Sequence, residues 1–125
     1  MNRRRTLALG VTLAVAMAAG TYGAWAESRL ATIKGYVLDS ACAFTKNLTK
    51  PVSAECAVTC AKAGSPLVIL GDNGLIYWPI SDTTPARGQN ERLIEFAGKR
   101  VSVTGKVYQR GGSYAVVIAT VEALQ

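Results

Sequence analysis

Three cysteines, Cys42, Cys56 and Cys60, are the only concentrated chemistry in a chain that has no histidine. Without imidazole there is no Ser-His-Asp or Cys-His nucleophile pair, no histidine base and no histidine metal ligand. What remains is sulfur chemistry, and the compartment decides its form. In an oxidising space cysteines pair; in a reducing one they stay thiols. Cys56 and Cys60 are four residues apart in Cys56-Ala57-Val58-Thr59-Cys60. On a helix that spacing puts both on one face with nearly parallel Cβ vectors, a poor geometry for bridging each other. Cys42, expected at the end of the first strand, is therefore expected to form a disulfide with Cys60 or Cys56, and the sulfur left over is expected to be a small buried hydrophobe. A second reading gathers Cys42, Cys56 and Cys60 into one thiolate site for Cu(I) or Zn, with Asp39 or water as fourth ligand. A third is thiol-redox chemistry at the unpaired cysteine. It lacks the C-x-x-C dithiol, and Lys62 is the one neighbouring cation. The leading reading needs no cofactor.

Few other side chains compete. Asp39, three residues before Cys42, is a candidate ligand, although a carboxylate at a strand end ordinarily accepts from nearby amides. The remaining acids are scattered, and no spacing marks a carboxylate pair for acid–base catalysis. No catalytic residue is assigned, and an enzyme is disfavoured. Tyr77 and Trp78 are consecutive in a strand pattern, so one should face the core and the other offer a ligand platform. Tyr36 and Tyr108 fall opposite valines in their own strands and are expected to add to an exposed aromatic face. Gly71 to Gly74 and Gly111-Gly112 read as hairpin turns, not phosphate loops, because neither opens a helix.

The elements that must hold these residues begin with an address. Arg3, Arg4 and Arg5 precede an apolar stretch from Leu7 to Ala19, and Ala24-Trp25-Ala26 has the small residues of a cleavage site. Residues 1–26 are read as a signal peptide, with Arg4-Arg5-Thr6-Leu7 loosely fitting the twin-arginine type. The stretch is short of the ~20 residues that span a bilayer, so no stable membrane insertion is expected after cleavage. The implied location is the periplasm or the exterior. Residues 27–125 then form one small domain. Its charge falls from +6 to +3 once the three leader arginines are gone, which is no nucleic-acid footprint.

Within that domain period-two patterns predict strands at Ala31–Val37 and Val101–Val107, and two short apolar runs predict strands at Leu67–Leu70 and Leu75–Trp78. The chain is expected to return after Arg110-Gly111-Gly112-Ser113 as a last strand over Tyr114–Val121. Asn73-Gly74 marks a hairpin between the second and third. Ser53 is a helix cap within Pro51–Gly64, and Ser81–Gln89 reads as loop. Asn90 is expected to cap a short helix with Leu93, Ile94 and Phe96 inward and Gly98 past its end. Mid-strand Gly35 and Gly105 suit sharp coiling. The expected fold is mainly β: a five-stranded OB-like Greek-key barrel with a helical insertion between strands 1 and 2 and a short helix between strands 3 and 4.

The stretches Gly35-Tyr36-Val37-Leu38-Asp39-Ser40-Ala41-Cys42, Cys56 with Cys60, and Gly98 to Val107 resemble small exported bacterial proteins of the OB-fold type, most of them uncharacterised. The likeness spans nearly all of residues 27–125. It departs at residues 43–47, where related-looking proteins often carry histidine. The resemblance implies the fold and a binding role. With the readings of the cysteines and the charge, the expected function is an exported, non-enzymatic OB-fold module, stabilised by a disulfide, that binds a small ligand or a periplasmic protein and no nucleic acid. The alternative functions are a periplasmic thiolate carrier of Cu(I) or Zn and a thiol-redox protein.

Overall fold

The alternating segments become five strands: β1 (Ser28–Asp39), β2 (Leu67–Gly71), β3 (Ile76–Pro79), β4 (Arg100–Arg110) and β5 (Ser113–Ala123). They close into a barrel in the order β1-β2-β3-β5-β4. This computed structural model describes residues 28–46 and 53–125. The expected signal peptide, and Pro51 at the head of the expected helix, lie outside the described residues. Three short helices accompany the strands. These are α1 (Ser40–Thr45) and α2 (Ala54–Lys62) between β1 and β2, and α3 (Asn90–Leu93) between β3 and β4, continued by a 3-10 turn over Ile94–Phe96.

One strand makes closure workable by pairing twice. Ser28–Tyr36 run antiparallel to β4, and Gly35–Asp39 run antiparallel to β2. Gly35 stands where the two ladders overlap, opposite both Gly71 and Val101. A Cβ there would lie 2.1 Å from the Leu70 carbonyl oxygen, so the strand coils this tightly only because the position is glycine. Across the barrel, Thr104 pairs with Thr120 but Gly105 pairs with Ile118, which leaves Ala119 bulged out of β5. A bulge frees carbonyls from the ladder. Arg92 takes them up, its Nη1 donating to the Ile118 oxygen at 2.6 Å and its Nη2 to the Ala119 oxygen at 3.2 Å. The seam is a short parallel pairing of Tyr77–Pro79 on β3 with Tyr114–Val116 on β5.

Ile33, Val37, Leu67, Ile69, Tyr77, Val101, Val103, Val107, Val116 and Ile118 fill the interior. Leu93 from α3 and Ala57 with Ala61 from α2 complete this core. Ala57 and Ala61 are one helical turn apart, so α2 presents a flat face to the barrel. Its first residue also sits hard against the chain after the 3-10 turn: Gly98, at φ +75°, has no room for a Cβ, which would meet the Ala54 Cα at 2.6 Å.

Two local expectations are corrected. Cys42 is not at a strand end but on α1, because Asp39 ends β1 by capping a helix, its Oδ2 accepting from the Cys42 N–H at 3.0 Å. Asn90 is not a cap. Gln89 holds that position without a side-chain bond, and the Asn90 amide spans elsewhere. Its Oδ1 accepts from the Leu67 N–H at 2.9 Å, and its Nδ2 donates to the Ser65 oxygen at 2.8 Å and the Ala61 oxygen at 3.3 Å. One side chain thus ties the end of α2 and the start of β2 to α3.

Candidate functional site

Burial on both faces of β1 and β2 locates the first region of interest. Val37 and Ile69 face the barrel core, yet Leu38 and Val68, pointing the other way and paired with each other, are also fully buried. Helix α1 lies against both strands, its Phe44 stacked on Trp78 of β3, and it carries Cys42, 8% exposed. Asp39, 2% exposed, sits beneath.

A chain of hydrogen bonds then joins α1 to α2. The Ser65 hydroxyl donates to Asp39 Oδ1, and the Ser65 N–H donates to the Cys60 carbonyl at 3.1 Å. Asp39 therefore serves two ends at once, the α1 cap and the turn leaving α2. Burial pushes its carboxyl up, but the bonds from Ser65 and the Cys42 N–H outweigh that and hold it below the ordinary carboxylate value. Both carboxylate oxygens are thereby engaged.

The three sulfurs form one neighbourhood with graded exposure. Cys56 is exposed, Cys60 half-buried and Cys42 buried. All three are free thiols. Cys56 and Cys60 lie one turn apart on α2, and the charges of the Asp39 carboxylate and Cys42 act on Cys60. Burial raises the Cys60 thiol above its usual value, and the Asp39 charge adds to this. Burial likewise raises Cys42; Lys46 opposes the shift and Asp39 reinforces it. Sequence reasoning named all four of these residues. It missed Ser65, which joins them from 26 residues beyond Asp39. Among the described residues, no group of three or more Cys, Asp or Glu side chains is arranged to hold a metal ion.

The aromatic residues divide. Tyr77 is buried, stacked edge-on to Tyr114 at 5.6 Å between centroids, and its phenol oxygen accepts from Asn73 Nδ2 at 2.9 Å. Trp78 faces outward and stacks on Phe44 of α1 at 6.1 Å and 27°. Tyr108 shares a cross-strand row with Trp78, the two separated by Ala115, and Lys106 Nζ lies 5.5 Å from its ring centroid. Tyr36 is not part of that row. It pairs with Arg100, whereas Tyr108 pairs with Ser28, eight ladder steps or roughly 26 Å along β1.

Trp78 also walls a recess of about 570 Å³ between the turn after α2 and the loop leading into α3. Pro66, Leu67 and Pro79 share its apolar side; Arg87, Gln89 and Glu91 form a polar rim. Compared with known proteins, the chain matches no family model, no curated protein and no solved structure. Its site is read from its own geometry. A second recess, about 430 Å³, opens beside β1 and the β2–β3 turn, with Arg29, Lys34 and Asn73 around Ile33 and Tyr77. Among the described residues no helix is long and apolar enough to cross a membrane.

Proposed function

We propose that the protein is an exported OB-fold binding module whose ligand site is the recess beside Trp78 and whose helical insertion is stapled to the barrel by a disulfide from Cys42 to Cys60 or Cys56. The fold assignment is supported by the strand order β1-β2-β3-β5-β4, the twice-paired first strand and the parallel β3–β5 seam. The binding role rests chiefly on one observation: a recess of ligand size with an aromatic wall and a polar rim. A flat ring, sugar or aromatic, stacks on Trp78 and directs its polar substituents to Arg87 and Gln89.

The staple is supported by the bond chain from Cys60 through Ser65 and Asp39 to Cys42. The resemblance to exported bacterial OB-fold proteins and the leader at residues 1–26 support a periplasmic or secreted location. The alternative of a Cu(I) or Zn carrier draws on the same sulfur neighbourhood. Against Asp39 as its fourth ligand, both oxygens already accept hydrogen bonds. Metal analysis of protein purified from the periplasm decides that alternative.

Removal of residues 1–26 takes Trp25 with it and leaves Trp78 as the single tryptophan. Its fluorescence is then a one-site reporter. Titration of the exported protein with a panel of monosaccharides and small aromatic acids is expected to give a saturable Trp78 response that Arg87→Ala weakens. A panel that leaves Trp78 unmoved, or a response that Arg87→Ala does not alter, removes the recess as the binding site.

A further inference from the structure

We propose that the three cysteines form a thiol–disulfide exchange site in which exposed Cys56 is the first nucleophile toward a low-molecular-weight disulfide, and Cys60 and Cys42 carry the oxidation inward. The proposal rests on the staple reading, since it supplies the route by which the staple closes.

Access sets the order. Cys42, a residue of α1, is only 8% exposed, so a solvent disulfide cannot reach its sulfur along the line that exchange requires. Cys56 is open to solvent, Cys60 is half-buried, and the two lie one turn apart on α2, where residues four apart are neighbours. The Asp39–Ser65 bridge fixes the carbonyl of Cys60 and the N–H of Cys42 to a common carboxylate. The three thiols thus run from solvent to core in the sequence Cys56, Cys60, Cys42.

The chemistry balances without another reagent. The Cys56 thiolate attacks one sulfur of RSSR, forming the Cys56–SR mixed disulfide and releasing RS⁻, which takes up a proton as RSH. The Cys60 thiolate attacks the Cys56 sulfur and expels the second RSH, leaving a Cys56–Cys60 bond. Residues four apart on a helix hold their Cβ atoms ~5–6 Å apart, against ~3.5–4.5 Å in a relaxed disulfide, so this bond is strained and short-lived. The Cys42 thiolate attacks Cys60, and Cys56 returns as a free thiol. One RSSR becomes two RSH, Cys42 and Cys60 become one disulfide, and Cys56 is regenerated.

The test follows reduced exported protein after mixing with oxidised glutathione, with acid quenching, alkylation and intact mass at intervals, and peptide mapping of each adduct. Wild type is expected to pass through a glutathione adduct on Cys56 to a Cys42–Cys60 bond. Cys60→Ser should stop at the Cys56 adduct. Cys56→Ser, a change at an exposed position, should close at least tenfold more slowly with no adduct. An adduct mapping to Cys42 or Cys60, a final Cys42–Cys56 bond, or equal closure rates in wild type and Cys56→Ser overturns the proposal while the staple stands. No bridge from Cys42 to either helix cysteine after prolonged oxidation overturns the proposal and the staple together.

Discussion

A buried carboxylate that remains charged must be held by donors, and Asp39 is held by two: the Ser65 hydroxyl and the Cys42 N–H. Hydrogen bonds to a charged group contribute ~1.5–3 kcal/mol each when a buried partner is lost. Asp39→Asn keeps the shape and removes the charge, so it should lower unfolding stability by about 2 kcal/mol at neutral pH, read from the urea midpoint. The pH dependence has a definite sign. The folded carboxyl titrates below its ordinary value, so its contribution is complete above the unfolded value near ~4 and is lost as pH falls through the folded one. The gap between wild type and Asp39→Asn should therefore be full at pH 6 and shrink steadily below pH ~4. A gap that stays constant down to pH 2 would show that the charge does not carry the effect. Half of this was legible in the sequence. An Asp three residues before an amide invites a backbone bond, and the structure makes that bond a helix cap. Ser65 was not legible, because nothing local in Gly64-Ser65-Pro66 reports a partner across the fold.

The same division runs through the elements. Alternation located β1 and β4, since a side chain that must point inward every second residue leaves its mark there, whereas β2, buried on both faces, showed only as a continuous apolar run. The Asn73-Gly74 turn likewise marked the β2–β3 hairpin: Gly71 and Leu75 close it, the Gly71 N–H donating to the Leu75 oxygen at 2.9 Å. Helix α1 escaped notice because its six residues are too few for a period, and it exists through its Asp39 cap and its contacts with β1, β2 and Trp78. Glycine demands separate in the same way. Gly35→Ala forces a methyl group into the Leu70 carbonyl and should cost about 3 kcal/mol or more, whereas Gly88→Ala, with nothing within 4 Å, should change stability by under ~0.5 kcal/mol. Thermal unfolding of the two variants side by side tests the coiled-strand account, and near-equal midpoints would refute it. Asn90 is the opposite lesson. It has the residue type of a cap, but its amide group matches the Leu67 N–H and the Ser65 carbonyl that the meeting of α2, β2 and α3 leaves open, and it adds a bond to the Ala61 carbonyl, which also accepts from the Gly64 N–H. Asn90→Ala should cost about 2 kcal/mol by stranding those groups. Asn90→Asp should do no better, because a carboxylate faces the carbonyl oxygens of Ala61 and Ser65. Rescue by aspartate in the denaturation curve would mean the residue acts as a cap after all.

For the whole molecule the question is what keeps the insertion on the barrel. The barrel core is rich in valine and isoleucine, but α2 gives it Ala57 and Ala61 with Val58 half-buried against it, and an alanine methyl is worth on the order of 0.8 kcal/mol when buried. Two methyl groups and a half-buried valine do not offset the ordering of nine helical residues, each costing ~1–2 kcal/mol of backbone freedom. The rest of the attachment comes from Asn90, the Ser65–Asp39 bridge, the close seat of Ala54 on Gly98 and, under the staple reading, a covalent bond. A bond from Cys42 to Cys60 closes a loop of about twenty residues and should stabilise the fold by about 3 kcal/mol on chain-entropy grounds. Urea unfolding of oxidised protein, monitored at Trp78 with and without reductant, should show that loss in wild type. Cys42→Ser should show none of the reductant response, and Cys56→Ser should retain all of it. Trp78 suits the measurement because Phe44 of α1 stacks on it, so its signal reports the element that the bond anchors. If wild type unfolds at the same urea concentration in both conditions, the helices are held by hydrogen bonds and packing alone, and the three sulfurs need another purpose.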